Sequence, residues 1–253
     1  MIDLKTEKEV ELMAEGGRRL AEVLKELKRA TRAGVSTKFL DELAYKLIKD
    51  KGAEPAFRGY RPIGGRKPYP YSLCSSLNDT VVHGLPSEYV IKDGDLVKLD
   101  LGLKYNGFYV DTATTIAVGN VGRDTKRLMK VTEDALSKGI AEARSGKTLG
   151  DIGFAIQRHV EKNKMAVIRN LTGHGIGRAL HEDPSVLNFG ISGRGTELEV
   201  GQVLAIEPMV AAGRGEIKQL KDDSFVTRDG SLSAHFEHTV AITKKGPRIL
   251  TRV

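Results

Sequence analysis

The sequence predicts an α+β protein built as two related halves. Three observations carry that expectation. Two pairs of amphipathic helical patterns, one near the start of the chain and one after Gly122, are each followed by strand-like segments. The stretch from Val97 to Ala117 alternates residue by residue on both sides of Asn106-Gly107, a dipeptide that favours the backbone of a two-residue hairpin turn. Finally, Leu198 to Glu207 can be laid without gaps over Ile91 to Asp100, and Glu237 to Ile242 over Asp111 to Ile116. The expected architecture is two copies of a helix, helix, strands unit related by a pseudo-two-fold. It forms a single domain over 1–253, with halves near 1–122 and 123–253.

Taken in order, Thr6 and Glu9 make a capping box, and Val10, Met13, Leu20, Val23, Leu24 and Leu27 continue at helical spacing to about Ala30. Gly34 and Ser36-Thr37 restart the pattern with Leu40, Leu43, Ala44, Leu47 and Ile48. The stretch from Pro55 to Pro70, rich in Gly, Pro and Tyr, reads as a surface loop whose residues line a pocket. A short strand around Cys74 follows, then His83, then a turn from Ile91 into the hairpin. In the second half, Asp124-Thr125 are expected to cap a helix running to about Arg144, and Thr148 with Asp151 makes a second capping box.

The hairpin turn fixes a register in which Tyr105 faces Phe108, Leu103 faces Val110, Gly102 faces Asp111 and Asp100 faces Ala113. Asp100 and Asp111 then share a face as diagonal neighbours about 7–8 Å apart. A lone aspartate in a strand reads as a solvated polar face. Two on one face repel each other unless something positive lies between them, and aspartate is disfavoured in strands. The internal repeat adds Glu207 at the place of Asp100 and Glu237 at the place of Asp111. In Thr172-Gly-His-Gly-Ile-Gly-Arg178, the glycines leave His174 open to close approach as a ligand, and they lack the strand-to-helix setting of a phosphate loop. Asp100, Asp111, His174, Glu207 and Glu237 form an oxygen-rich ligand set. Two divalent cations would balance the four carboxylates, and one cation is the alternative. The donors suit Mn, Fe or Co at least as well as Zn.

Composition agrees with a soluble globular protein: 40% of residues are hydrophobic and 29% charged. No run is long and apolar enough to span a membrane, and the charged, amphipathic first residues do not read as a secretory signal, so a cytoplasmic protein is expected. The single cysteine, Cys74, excludes an intramolecular disulfide. A net charge of +7 favours contact with a polyanion such as RNA or a ribosome surface. The basic residues are nevertheless spread over helix faces, as on an ordinary solvated surface.

The motifs GHGIGR, HEDP, IEPM and SAHFEHT, with the DLG…GFYVDT hairpin, make the chain similar to type I methionine aminopeptidases along essentially its whole length. The resemblance implies the pita-bread fold, a curved antiparallel sheet between two helix pairs. It implies that Asp111 and Glu237 bridge two metals, that Asp100 chelates one, and that His174 and Glu207 complete the other. It implies a peptide or nascent-chain N-terminus as substrate, a small second residue, and attack by a hydroxide held between the cations, with Glu207 shuttling the proton. His181 would hydrogen-bond the scissile carbonyl or the tetrahedral intermediate, and His83 the amide nitrogen of the following residue. Tyr69 and Cys74 match the lining of the methionine pocket. Leu180 departs from the aromatic residue that often precedes the histidine and Asp223 from a tryptophan, so a wider or more polar pocket rim is expected, and His235 stands in place of a more usual glutamine. His235 and His238 are expected in supporting roles beside Glu237. The short span from His181 to Glu207 lacks the inserted subdomain of type II enzymes, and no zinc-binding extension precedes the first helix pair. A monomer is expected. An X-Pro-cleaving relative and a non-catalytic RNA- or ribosome-binding protein of the same fold are the alternatives.

Overall fold

The computed structural model describes residues 2–61 and 67–252. The chain opens with α1 (Glu7–Ala30) and α2 (Thr37–Asp50), followed by β1 (Glu54–Pro55), β2 (Cys74–Leu77), β3 (Thr80–Val82), β4 (Leu96–Tyr105) and β5 (Phe108–Ala117). A second helix pair follows, α3 (Arg123–Glu142) and α4 (Leu149–Lys162), with β6 (Ala166–Val167), β7 (Gly173–Gly175), β8 (Glu182–Val186) and β9 (Val203–Ile206). The chain then forms β10 (Met209–Ala211), β11 (Ile217–Gln219), β12 (Phe225–Thr227), β13 (Ser233–His235), β14 (His238–Thr243) and β15 (Gly246–Ile249). Every strand pair is antiparallel.

The capping boxes form as the sequence predicts. Thr6 accepts from the Glu9 N–H, Thr148 accepts from the Asp151 N–H, and each acid reaches back to the cap backbone. The start of α3 differs. Its cap is Gly122, with no side-chain bond, and Asp124 instead lies in the first turn, where its charge faces the positive end of the helix. The expected loop from Pro55 also differs at its start, because Glu54 and Pro55 pair with Lys104 and Leu103 of β4. Part of that loop, 62–66, lies outside the described residues. Its flanks are tied together: the Tyr69 N–H donates to the Tyr60 carbonyl and the Gly59 N–H to the Tyr69 carbonyl, both at 2.8 Å.

The β4–β5 hairpin has the predicted register, from Tyr105↔Phe108 through Gly102↔Asp111 and Asp100↔Ala113 to Leu96↔Ala117. Alternation therefore separates two faces. Leu99, Leu101, Leu103 and Val110 face α1 and α2 in one core with Met13, Leu20 and Leu40, while Asp100 and Asp111 face the other way. Each such aliphatic side chain contributes about 1.5–3 kcal/mol on burial, so a one-residue slip would turn the whole set outward. The second half repeats the plan: Leu136, Ile152 and Ile156 of α3 and α4 cover Leu204, Ile206, Val240 and Ile242 of β9 and β14.

The halves meet along a seam of threonines. The Asp111 N–H donates to Thr239 Oγ1 (2.9 Å), which donates back to the Asp111 carbonyl (2.8 Å). Thr112 Oγ1 donates to the Glu237 carbonyl (2.8 Å), and Thr115 Oγ1 bonds the His235 carbonyl and N–H in the same reciprocal way. These hydroxyls satisfy backbone groups that would otherwise be orphaned where β5 meets the second half. Lys98 adds a further tie, its fully buried ammonium donating to the Asn78 carbonyl (2.7 Å) and the Ser233 carbonyl (3.1 Å).

Candidate active site

The acid-bearing faces of the two halves converge at this seam. Asp111, His174 and Glu237, all buried, each offer a ligand atom, and the three atoms lie within 4.8 Å of one another. Asp100 and Glu207 adjoin this trio. Burial and the Asp111 charge push the Asp100 carboxyl well above its ordinary range, and burial with the charges of Asp100 and Asp111 does the same to Glu207. Glu237 is pushed up by burial and then by Asp111, Glu207 and Asp100, and Asp111 rises to about 7 through burial. Such a cluster must take up protons or hold cations.

Two details favour cations. Asp100 Oδ1 is buried without a hydrogen-bond partner among the described residues, which is costly for a carboxylate oxygen unless something electropositive meets it. His174 Nδ1 lies 2.8 Å from the Gly175 carbonyl, an arrangement that puts the ring proton on Nδ1 and leaves the Nε2 lone pair free, 3.7 Å from Glu207 Oε1. Burial lowers the His174 pKa to about 4, so the ring stays neutral, as a ligand must.

The glycines beside His174 also serve backbone packing. His174 is buried, and a Cβ on Gly173 would collide with the Ala205 carbonyl and one on Gly175 with the Asp183 carbonyl. They let β9 and β8 close tightly on β7 and do not open the histidine to solvent. β7 pairs with β9 on one side and β8 on the other, which carries the His174 ring toward Glu207.

His83 and His181 stand at the open side of the cluster. His83 is exposed and adopts a left-handed backbone with φ of 59°. Gly84 makes this possible by fitting against Ser75 and Ser76, and its N–H donates to Ser76 Oγ (3.0 Å). The His83 ring meets Phe225 edge-on at 5.8 Å. His181 tilts against His174, with ring centroids 4.2 Å apart. Its loop is braced by Glu182, which accepts from the N–H groups of Arg178 (2.5 Å) and Ala179 (2.9 Å) and pairs with the buried Lys5. Arg178 in turn pairs with Asp3 (2.9 Å) and Glu9 (2.5 Å) on the N-terminal segment.

Cys74 lies opposite Asp100 in the β2–β4 register, and Tyr69 Oη donates to the Leu73 carbonyl (2.9 Å) beside it. Burial and the Asp100 charge push the Cys74 thiol well up, which keeps it neutral and unreactive. Leu180 is buried among the apolar residues that include Cys74, with Tyr69 packed against them. Asp223 occupies the turn between β11 and β12, where its charge reaches His83. His235 Nε2 lies 3.2 Å from Glu207 Oε2 without a hydrogen bond between them, and His238 Nδ1 lies 2.9 Å from Thr251 Oγ1. Two residues escape sequence reasoning: Tyr60, which meets His181, and Lys98. Their partners lie too far along the chain to leave a local pattern.

Comparison with known proteins matches this arrangement. The model for metallopeptidase family M24 covers residues 11–244. The chain is 47% identical to methionine aminopeptidase 1 of Bacillus subtilis over the full length of both. The solved methionine aminopeptidase of Thermotoga maritima superposes with a TM-score of 0.95 at 42% identity, covering all of both chains. The prolidase of Pyrococcus furiosus shares the fold at a TM-score of 0.78 and 22% identity, over 99% of this chain and 65% of that one. With the pita-bread fold and the acid cluster between its halves, this chain belongs to metallopeptidase family M24, among the methionine aminopeptidases.

Proposed function

We propose that the chain removes the N-terminal methionine from peptides and nascent proteins with a small second residue, using two divalent ions held by Asp100, Asp111, His174, Glu207 and Glu237. The approach of Asp111, His174 and Glu237 within 4.8 Å, at the junction of the halves, carries this reading. Asp111, on β5, and Glu237, between β13 and β14, would be shared by the two ions. Asp100 would help hold one ion, and His174 with Glu207 the other. Divalent cations held there supply the Lewis acidity that activates water and polarises the scissile carbonyl.

The chain's own groups do the rest. Glu207 takes the proton from water and returns it to the leaving nitrogen. His181 donates a hydrogen bond to the carbonyl oxygen as negative charge develops there. His83 keeps an exposed edge, but the protein packed around its ring desolvates it and lowers its pKa, so it is neutral and accepts from the amide N–H that follows. Cys74 and Tyr69 form the apolar wall that receives the methionine side chain, and Asp223 makes the outer rim more polar. The two halves, near 1–122 and 123–253, act as one catalytic domain. The enzyme works as a cytoplasmic monomer, and its net charge of +7 favours transient contact with ribosomal RNA. The experiment is hydrolysis of a Met-Ala-Ser peptide against an X-Pro peptide, before and after chelation and with Co, Mn, Fe or Zn restored singly. Cleavage of the Met peptide that disappears on chelation and returns with metal supports the reading. Turnover after complete metal removal, or preference for the X-Pro peptide, overturns it.

A further inference from the structure

Tyr60 Oη lies 2.5 Å from Nδ1 of His181, a residue 121 positions away, and the two rings pack at 5.1 Å with a 44° tilt. Among the described residues the phenol hydroxyl has no other hydrogen-bond partner, and neither has that nitrogen. Two directions are conceivable: the phenol donates to Nδ1, or Nδ1–H donates to the phenol oxygen. Chemistry favours the first, since a phenol is the better donor and a neutral imidazole nitrogen the better acceptor. The remaining imidazole proton is then on Nε2, the opposite edge of the ring, which has no hydrogen-bond partner among the described residues.

Both ends of this contact are held independently. The Tyr60 N–H donates to the Phe57 carbonyl (2.9 Å), and its carbonyl accepts from Tyr69 (2.8 Å). His181 sits between buried Leu180 and the braced Glu182. The hydroxyl is thus aimed by the fold and does not depend on a chance rotamer of a free loop.

We infer that Tyr60 is a positioning residue that fixes His181 in the Nε2–H tautomer, so that a hydrogen-bond donor faces the scissile carbonyl. This rests on the proposed role of His181. In the other tautomer Nε2 would present a lone pair to the carbonyl oxygen and oppose the developing charge. A histidine that must donate needs its second nitrogen occupied by an acceptor's complement, and the phenol supplies it.

The test is two-bond 15N–1H correlation of the imidazoles in the Zn(II)-loaded protein, with His181→Ala assigning the resonance, combined with kinetics on Met-Ala-Ser. Wild type should show His181 protonated on Nε2 alone, and Tyr60→Phe, which keeps the ring, should show a mixture of tautomers. Tyr60→Phe should lower kcat about tenfold with KM nearly unchanged, and should cost nothing further in a His181→Ala background. A proton on Nδ1 in wild type, an unchanged spectrum in Tyr60→Phe, or equal loss in both backgrounds overturns the inference. Full activity in His181→Ala alone would instead remove the role of His181, and the spectrum would still decide whether Tyr60 sets its tautomer.

Discussion

Counting from the aligned carboxylates, Ser76 in the first half and His174 in the second occupy the same place, each on the strand beside the one that leads to the acid. Their work differs. Ser76 Oγ accepts from the Gly84 N–H and so holds the strained backbone at His83. His174 turns its Nε2 toward Glu207 and the metal-binding face. The registers differ as well. Asp100 and Asp111 are diagonal across the β4–β5 pair, whereas the β9–β14 pairing ends at Ile206↔His238, and its register continued by one step would set Glu237 opposite Glu207. The shift is two residues, which keeps every acid on the same face. Carboxylates thus converge from both helix-pair halves, and in the proposed reading one half would add His174 as a ligand while the other would add Cys74 and Tyr69 as the wall facing substrate.

The sharpest way to break this comparison is Asp111→Asn. It keeps the hairpin but removes a charge shared by both halves, and peptide hydrolysis should fall at least about a hundredfold, the scale lost even when groups supporting metal ligands are removed. Near-normal turnover would end the assignment. The paired variants His174→Ala and Ser76→Ala probe the asymmetry itself. Mn(II) titration should show affinity reduced about 10–100-fold in the first and unchanged in the second, whose defect should appear as a few-fold change in kinetics through His83. Equal effects on metal affinity would mean that the two positions do the same work.

The acid cluster also fixes a pH dependence. Asp111 titrates near 7 in the folded chain against an ordinary 3.8, so in chelator the native state holds a proton that the unfolded chain has released between these values. Unfolding free energy of the chelated protein should therefore fall as pH rises from about 4 to about 7. Saturating Mn(II) should abolish or reverse that fall, and urea titrations at several pH values measure it. The smallest expected effect is at the seam. Thr239→Val leaves the Asp111 N–H without its acceptor and should cost about 1–3 kcal/mol in urea unfolding. A neutral result would mean that the halves are held together elsewhere.

Much of this was legible in the sequence because its causes are local. Asn106-Gly107 sets the hairpin register, Thr6 and Thr148 with their acids start two helices, and the gapless overlay of Glu207 on Asp100 points to the acids of the second half. The parts that were not legible depend on distant partners or short elements. β10 to β13 are three residues each, too short for alternation to register. Gly122 starts α3 without a side-chain bond, so nothing marked it over Asp124. The glycines of Gly173-His-Gly175 proved to serve backbone packing against Ala205 and Asp183, partners no local reading supplies. The Tyr60 contact spans 121 residues.

On the proposed reading, neither half would make the metal site alone. Anomalous diffraction from crystals grown with Mn(II) locates the ions. Two peaks are expected at the seam, with Asp111 and Glu237 between them, Asp100 on one side, and His174 with Glu207 on the other. Peaks bounded by the residues of one half only, or lying away from the seam, would contradict it.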